Sequence, residues 1–129
     1  YTRELLLPYA AYFTPSSTLH AIYTYVKKSE DMKKLRHFLS SMDDGNTVFL
    51  ISSNMTGRLQ EDEMRRMRSS TIDAILEGGH LLDKWRKGRI GACATAEIES
   101  VSAILGGRWE LIWTREEDSI CGHAGFIMR

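Results

Sequence analysis

Cysteine and proline are scarce in this chain, two of each in 129 residues. Cys93 and Cys121 are too few for a disulfide framework or a cysteine-only zinc site. Neither sign of charge prevails, because 17 Lys plus Arg stand against 17 Asp plus Glu. A neutral chain projects no overall field toward DNA, RNA or an anionic bilayer, so a nucleic-acid partner is disfavoured and any polyanion contact must come from a local patch. No apolar run approaches the roughly 18 residues of a membrane span, and no membrane partner is expected. The opening Tyr1-Thr2-Arg3-Glu4 lacks the charged-then-apolar layout of a signal peptide. These absences, with 43% apolar side chains, predict a reduced, cytoplasmic protein, and an opening without an initiator Met predicts one trimmed at its start. They also predict a single α+β domain over residues 1–129, with residues 1–17 as an N-terminal arm.

The pattern along the chain alternates strand and helix. Leu19 to Val26 is β-branched and aromatic and reads as a strand. Ser29 reads as an N-cap, followed by Glu30 and Asp31 at the positive end of a helix dipole and by Met32, Leu35, Phe38, Leu39 and Met42 at helical spacing. Asp43-Asp44-Gly45-Asn46 stops that helix. Thr47 to Ile51 is a short apolar run of the kind buried in a central strand. The polar loop Ser52 to Gly57 leads to a second helix, from about Gln60 to Leu76, closed by Gly78-Gly79. Arg89 to Ala94 reads as a strand of small residues, Thr95 as an N-cap, and Ala96 to Leu105 as a third helix, with a strand beginning near Glu99 as the alternative. Trp109 to Thr114 and Ile120 to Met128 read as a closing β-hairpin. The expected architecture is a mixed β-sheet with helices mainly on one face, ferredoxin-like or split βαβ, ending in that hairpin. Parallel strands with right-handed crossovers would bring the loops Ser52 to Gly57 and Cys93 to Glu97 to the same sheet edge, where a site is expected.

Most motif chemistry is absent. His20, His37, His80 and His123 are dispersed with no His-x-x-x-His or Cys-x-x-Cys pair, so no metal site is expected. Cys121 and His123, two apart on a strand, lie about 7 Å apart, beyond the reach of a Cys–His ion pair. Neither Gly78-Gly79 nor Gly106-Gly107 belongs to a phosphate-binding glycine pattern. Lys84, Arg86, Lys87 and Arg89 around Trp85 form the one basic cluster, which reads as a solvated linker before it reads as a single-strand platform. The carboxylate pairs are more informative. Glu61 with Glu63, and Glu97 with Glu99, open helices, and two residues apart they diverge by about 200°, so one member of each can face a cleft. Glu97 follows the small-residue strand directly and is the preferred site residue. Its simplest alternative role is to stabilise the helix dipole.

Phe49 to Leu76, FLISSNMTGRLQEDEMRRMRSSTIDAIL, together with the closing ELIWTREEDSICGHAGFIMR, resembles the small phage enzymes that destroy S-adenosylmethionine, formerly called SAM hydrolases and now SAM lyases. The shared features are an apolar strand, a Ser-containing polar loop, a helix rich in Met and Arg, and a last strand carrying Ala124-Gly125 before Phe126-Ile127-Met128. A similar strand-loop-helix occurs in a family of uncharacterised bacterial domains. The likeness runs from about Thr47 onward. Between Gly78 and Gly88, where the family places a Tyr and a Glu, this chain has His80, Asp83 and Trp85.

The resemblance implies a homotrimer in the host bacterial cytoplasm, binding S-adenosylmethionine between subunits without metal or cofactor. The implied reaction releases 5′-methylthioadenosine and homoserine lactone, and its biological sense would be antirestriction in a bacteriophage. Ser52, Ser53 and Met55 would hold the methionine portion. Glu97 would serve as the catalytic carboxylate, and Tyr23, Tyr25 or Trp113 would stack on adenine. Two rivals differ in class: a non-catalytic phage interaction module contacting a host protein through Trp109, Trp113 and the hairpin, and a single-strand nucleic-acid binder using Lys84 to Arg89.

Overall fold

Met32, Leu35 and Leu39 recur at intervals of three and four, and they are the buried stripe of the first helix, α1 (Ser29–Met42). The computed structural model describes residues 7, 8, 10–12, 14–26, 28–56, 59–117 and 121–128. Within the N-terminal arm, residues 7, 8 and 10–12 are helical, and Ala10 is buried. Ser29 is the first helical residue of α1 rather than its cap; that position belongs to Lys28, whose N–H donates to Asp31 Oδ2 at 3.0 Å. The helix stops where Asp43 and Asp44 turn back on the backbone, Asp43 Oδ1 accepting from Gly45 N–H at 3.1 Å and Asp44 Oδ1 from Asn46 N–H at 2.9 Å.

The second helix, α2 (Glu61–Glu77), begins with three acids, and Glu61 pairs with Arg65 one turn on at 2.6 Å. It ends at Gly78, whose φ of 75° lets its N–H turn back to the Ala74 carbonyl. A six-residue helix, α3 (Leu81–Arg86), follows where the sequence suggested only a basic linker. Its Leu81 and Leu82 are buried, so the cations of this segment decorate a helix anchored by two leucines. The last helix, α4 (Thr95–Leu105), settles the helix-or-strand alternative for residues 96–105 in favour of helix. Thr95 is its first residue and is buried; the cap position is Ala94.

The chain closes in the antiparallel hairpin β1 (Trp109–Glu117) and β2 (Cys121–Met128), with residues 118–120 outside the described part. The register runs from Trp109 opposite Met128 to Glu117 opposite Cys121, and slips by one residue between Leu111 and Trp113. Ile112 is therefore the extra residue of a β-bulge. Beyond it Trp113 pairs with Gly125 and lays its indole over the glycine; a Cβ added there would stand 2.8 Å from the indole Cδ1. Gly125→Ala should lift that ring off the strand, costing about 1 kcal/mol, the scale of one cross-strand pair. The measurement is tryptophan emission, which should shift to the red; unchanged emission would show that the ring is held elsewhere.

The protein is thus α+β and ends in a β-hairpin, as the sequence predicts. The wider mixed sheet, ferredoxin-like or split βαβ, does not form among the described residues: the sheet there is β1 with β2 alone, and residues 19–26, 47–51 and 89–94 join no ladder. All three segments still lay apolar side chains on the core, Val26 from the first, Phe49 and Ile51 from the second, and Ile90 and Ala92 from the third. In the third, side chains take the N–H groups that a ladder would have used: Gly91 N–H donates to Thr71 Oγ1 and Ala94 N–H to Ser53 Oγ.

Two apolar clusters hold these elements together. One gathers Met55, Ala74, Ile75, Leu81, Ile90, Ala92 and Ile98; the other Met32, Leu35, Leu39, Leu82, Ala96 and Val101. Ile51 and Trp109 pack against both, which makes them the seam between the clusters. Trp109 also donates its indole N–H to Ser102 Oγ at 2.7 Å, so its one polar atom is satisfied.

Glu99 ties three helices. Its Oε1 takes Arg36 Nη2 of α1 at 3.1 Å, and its Oε2 accepts the N–H of Leu82 in the first turn of α3, also at 3.1 Å. A carboxylate supplied from α4 thereby satisfies one of the donors that every helix start leaves open. Glu99→Ala should cost about 1–3 kcal/mol, because it strands a backbone donor and a guanidinium at once. A urea midpoint equal to that of the parent would remove Glu99 from the structural frame.

Candidate functional site

The segments expected to flank a site at a sheet edge do meet, but with no sheet between them among the described residues and with Thr95 to Glu97 already in α4 rather than in a loop. Residues 52–56 lead into α2 and residues 89–94 lead into α4, and they are joined by a reciprocal pair: Cys93 N–H donates to the Asn54 carbonyl at 3.3 Å, and Asn54 N–H donates to Cys93 Sγ at 3.3 Å. Ser53 completes the clasp. Its Oγ accepts Ala94 N–H at 3.0 Å and lies 3.1 Å from the Asn54 carbonyl and 3.6 Å from Cys93 Sγ, so its single proton also stays within the loop pair. The junction is built at the start of α4, where backbone N–H groups and the helix dipole favour negative charge.

Behind the clasp stands Thr71, fully buried in α2. Its Oγ1 accepts Gly91 N–H at 2.9 Å and lies 2.7 Å from the Met67 carbonyl and 3.3 Å from the Met55 carbonyl. One hydroxyl proton cannot serve two carbonyls fully, and the shorter distance gives the larger share to Met67. The backbones approach closely here. A Cβ on Gly91 would lie 2.6 Å from the Met55 carbonyl oxygen and 2.9 Å from Thr56 Cα, so only glycine fits.

Glu97 lies in the first turn of α4, three residues past Ala94. Burial pushes its carboxyl above the ordinary value of 4.5, partly offset by its own backbone N–H. Its side chain makes no ion pair among the described residues. Glu99, two residues on, is committed to Arg36 and Leu82. The two carboxylates of one helical turn therefore differ in kind, one bound into the frame and one without an ion pair among the described residues.

The other sequence-derived candidates are distributed more widely. Ser52 is half-buried beside Ser53. The Met55 side chain is buried in the core, and its carbonyl faces Thr71 Oγ1 at 3.3 Å. Tyr23 and Tyr25, at 71% and 80% exposure, lie on a segment that is neither helix nor strand, and Trp113, at 51%, lies on β1. The fold sets Ser53 against Ala94, three residues before Glu97 in the chain, and puts the three aromatics elsewhere. Sequence reasoning put Asn54 and Cys93 in the two loops expected to meet but gave neither a role of its own.

Two surface hollows, of about 560 and 290 Å³, run along α2 and share Ser70 and Arg89. Neither is lined by Ser52, Ser53, Met55 or Glu97. Among the described residues no three His, Cys, Asp or Glu side chains converge as a metal site would require, and the Cys121 and His123 side chains lie outside the described part. No helix among the described residues is long and apolar enough to cross a membrane. No protein-family model, no curated protein and no solved structure matches the chain.

Proposed function

We propose that the protein is an S-adenosylmethionine lyase whose site is the junction of residues 52–56 with the start of α4. The observation that carries this reading is Glu97, a partly buried carboxylate with no cationic partner among the described residues. Desolvating a carboxylate without a counter-charge is costly, and such groups mark places where a cationic ligand supplies the missing charge. S-adenosylmethionine brings two positive centres, its ammonium and its sulfonium. The resemblance of residues 49–76 to the phage enzymes selects this substrate among small cations.

The chemistry asks little of the side chains. The substrate carboxylate attacks its own Cγ, a C–O bond forms as the Cγ–S bond breaks, and the bonding electrons leave on sulfur as the neutral thioether of 5′-methylthioadenosine. The other product is homoserine lactone, and no water, metal or cofactor enters the balance. The protein's task is to fold the methionyl chain so that carboxylate and Cγ stand about 3–3.5 Å apart and in line. Because Ser53 Oγ is engaged by Ala94 and its neighbours, this role falls to Ser52, to the backbone of the loop at Met55, and to Glu97 on the ammonium or sulfonium. As the resemblance implies, a second copy is proposed to close the chamber and bring the adenine-stacking aromatic, in a homotrimer of the host cytoplasm.

Purified protein incubated with S-adenosylmethionine should yield 5′-methylthioadenosine by liquid chromatography, with lactone in equal amount. Absence of product at micromolar enzyme and long incubation would reject the lyase. Sedimentation tests the assembly separately, since active monomer would reject the shared chamber. The second reading, a non-catalytic phage module that binds a host protein, is favoured by the consecutive exposed residues Leu111, Ile112 and Trp113 on β1. It predicts no turnover and a partner lost on Trp113→Ala.

A further inference from the structure

We draw no further inference here: the strongest candidate, the surface patch of the extended residues 47–51, where Val48 and Leu50 stand exposed and the backbone joins no ladder among the described residues, carries nothing because nothing in the structure shows what covers it.

Discussion

Glu97→Gln should lower turnover of S-adenosylmethionine on the order of 10²–10³-fold, the scale on which a single preorganised electrostatic contact to a reacting centre is measured. The same variant should be more stable than its parent at neutral pH. The sign follows from the direction of the pKa change. In the folded protein the Glu97 carboxyl holds its proton more strongly than the unfolded chain does, because burial penalises the anion. It therefore contributes stability below the ordinary value of 4.5, and that contribution is lost as pH rises through the elevated folded value. Glutamine has no charge to bury, so the stability gap between variant and parent should open above that window and close below it. Thermal unfolding across pH 3.5 to 7.5 reads this directly. An inactive variant that is also less stable at pH 7 would mean that Glu97 is a structural group after all. A variant that is more stable but fully active would remove the carboxylate from the chemistry while leaving its burial intact.

Gly91→Ala should be the most damaging small substitution in the molecule. The added methyl meets a carbonyl oxygen and a Cα of the opposite loop rather than the end of a yielding side chain. Relief requires residues 55–56 to move away from 91, which lengthens the Thr71 bridges and opens the Cys93–Asn54 pair. Overpacking of this kind costs about 1–3 kcal/mol, and loss of buried hydrogen bonds adds about 1 kcal/mol each. The unfolding midpoint should fall accordingly. Turnover should fall beyond what the unfolded fraction explains, because residues 52–55 are the proposed methionine cradle. A full-strength unfolding midpoint would show that the two backbones are farther apart than the fold places them.

The contrast between Glu97 and Glu99 shows what the sequence could and could not convey. Helical geometry alone separates the two directions, so it was legible that only one carboxylate faces outward from the frame. Glu97 was preferred for following the small-residue run; that Glu99 is held by Arg36 and Leu82, 63 and 17 residues away, was not legible. Helices α1, α2 and α4 were legible within a residue or two, because each has an apolar stripe, acids in the first turn and a glycine or aspartate stop. Six residues are too few for a periodic signal, and the charges of Lys84 and Arg86 masked the two leucines that make α3 a helix.

The strand expectations illustrate a different limit. Phe49 and Ile51 do turn inward with Val48 and Leu50 outward, as alternation requires. A ladder further needs a partner of matching register, and that is a long-range property. Around Gly91 and Ala94 the expected partners were displaced by two hydroxyls, Thr71 and Ser53, whose reach across the chain no local pattern announces. The serine loop was legible as a polar turn after an apolar run, but its use was not. Ser53 spends its hydrogen-bonding capacity on Ala94 and its own neighbours, and so becomes part of the scaffold that shapes the loop.

Thr71 gives α2 a fixed phase. A helix held only by greasy contacts can turn or creep along its axis at small cost, since one leucine slot is much like the next. Here a single hydroxyl reads the positions of Met67, Met55 and Gly91 together. Advancing α2 by one residue swings that oxygen by about 100° and 1.5 Å, out of reach of both loops. The helix is thereby indexed like a key in a lock, and the spacing between the two loops at the proposed site is set from the middle of α2 rather than from either loop.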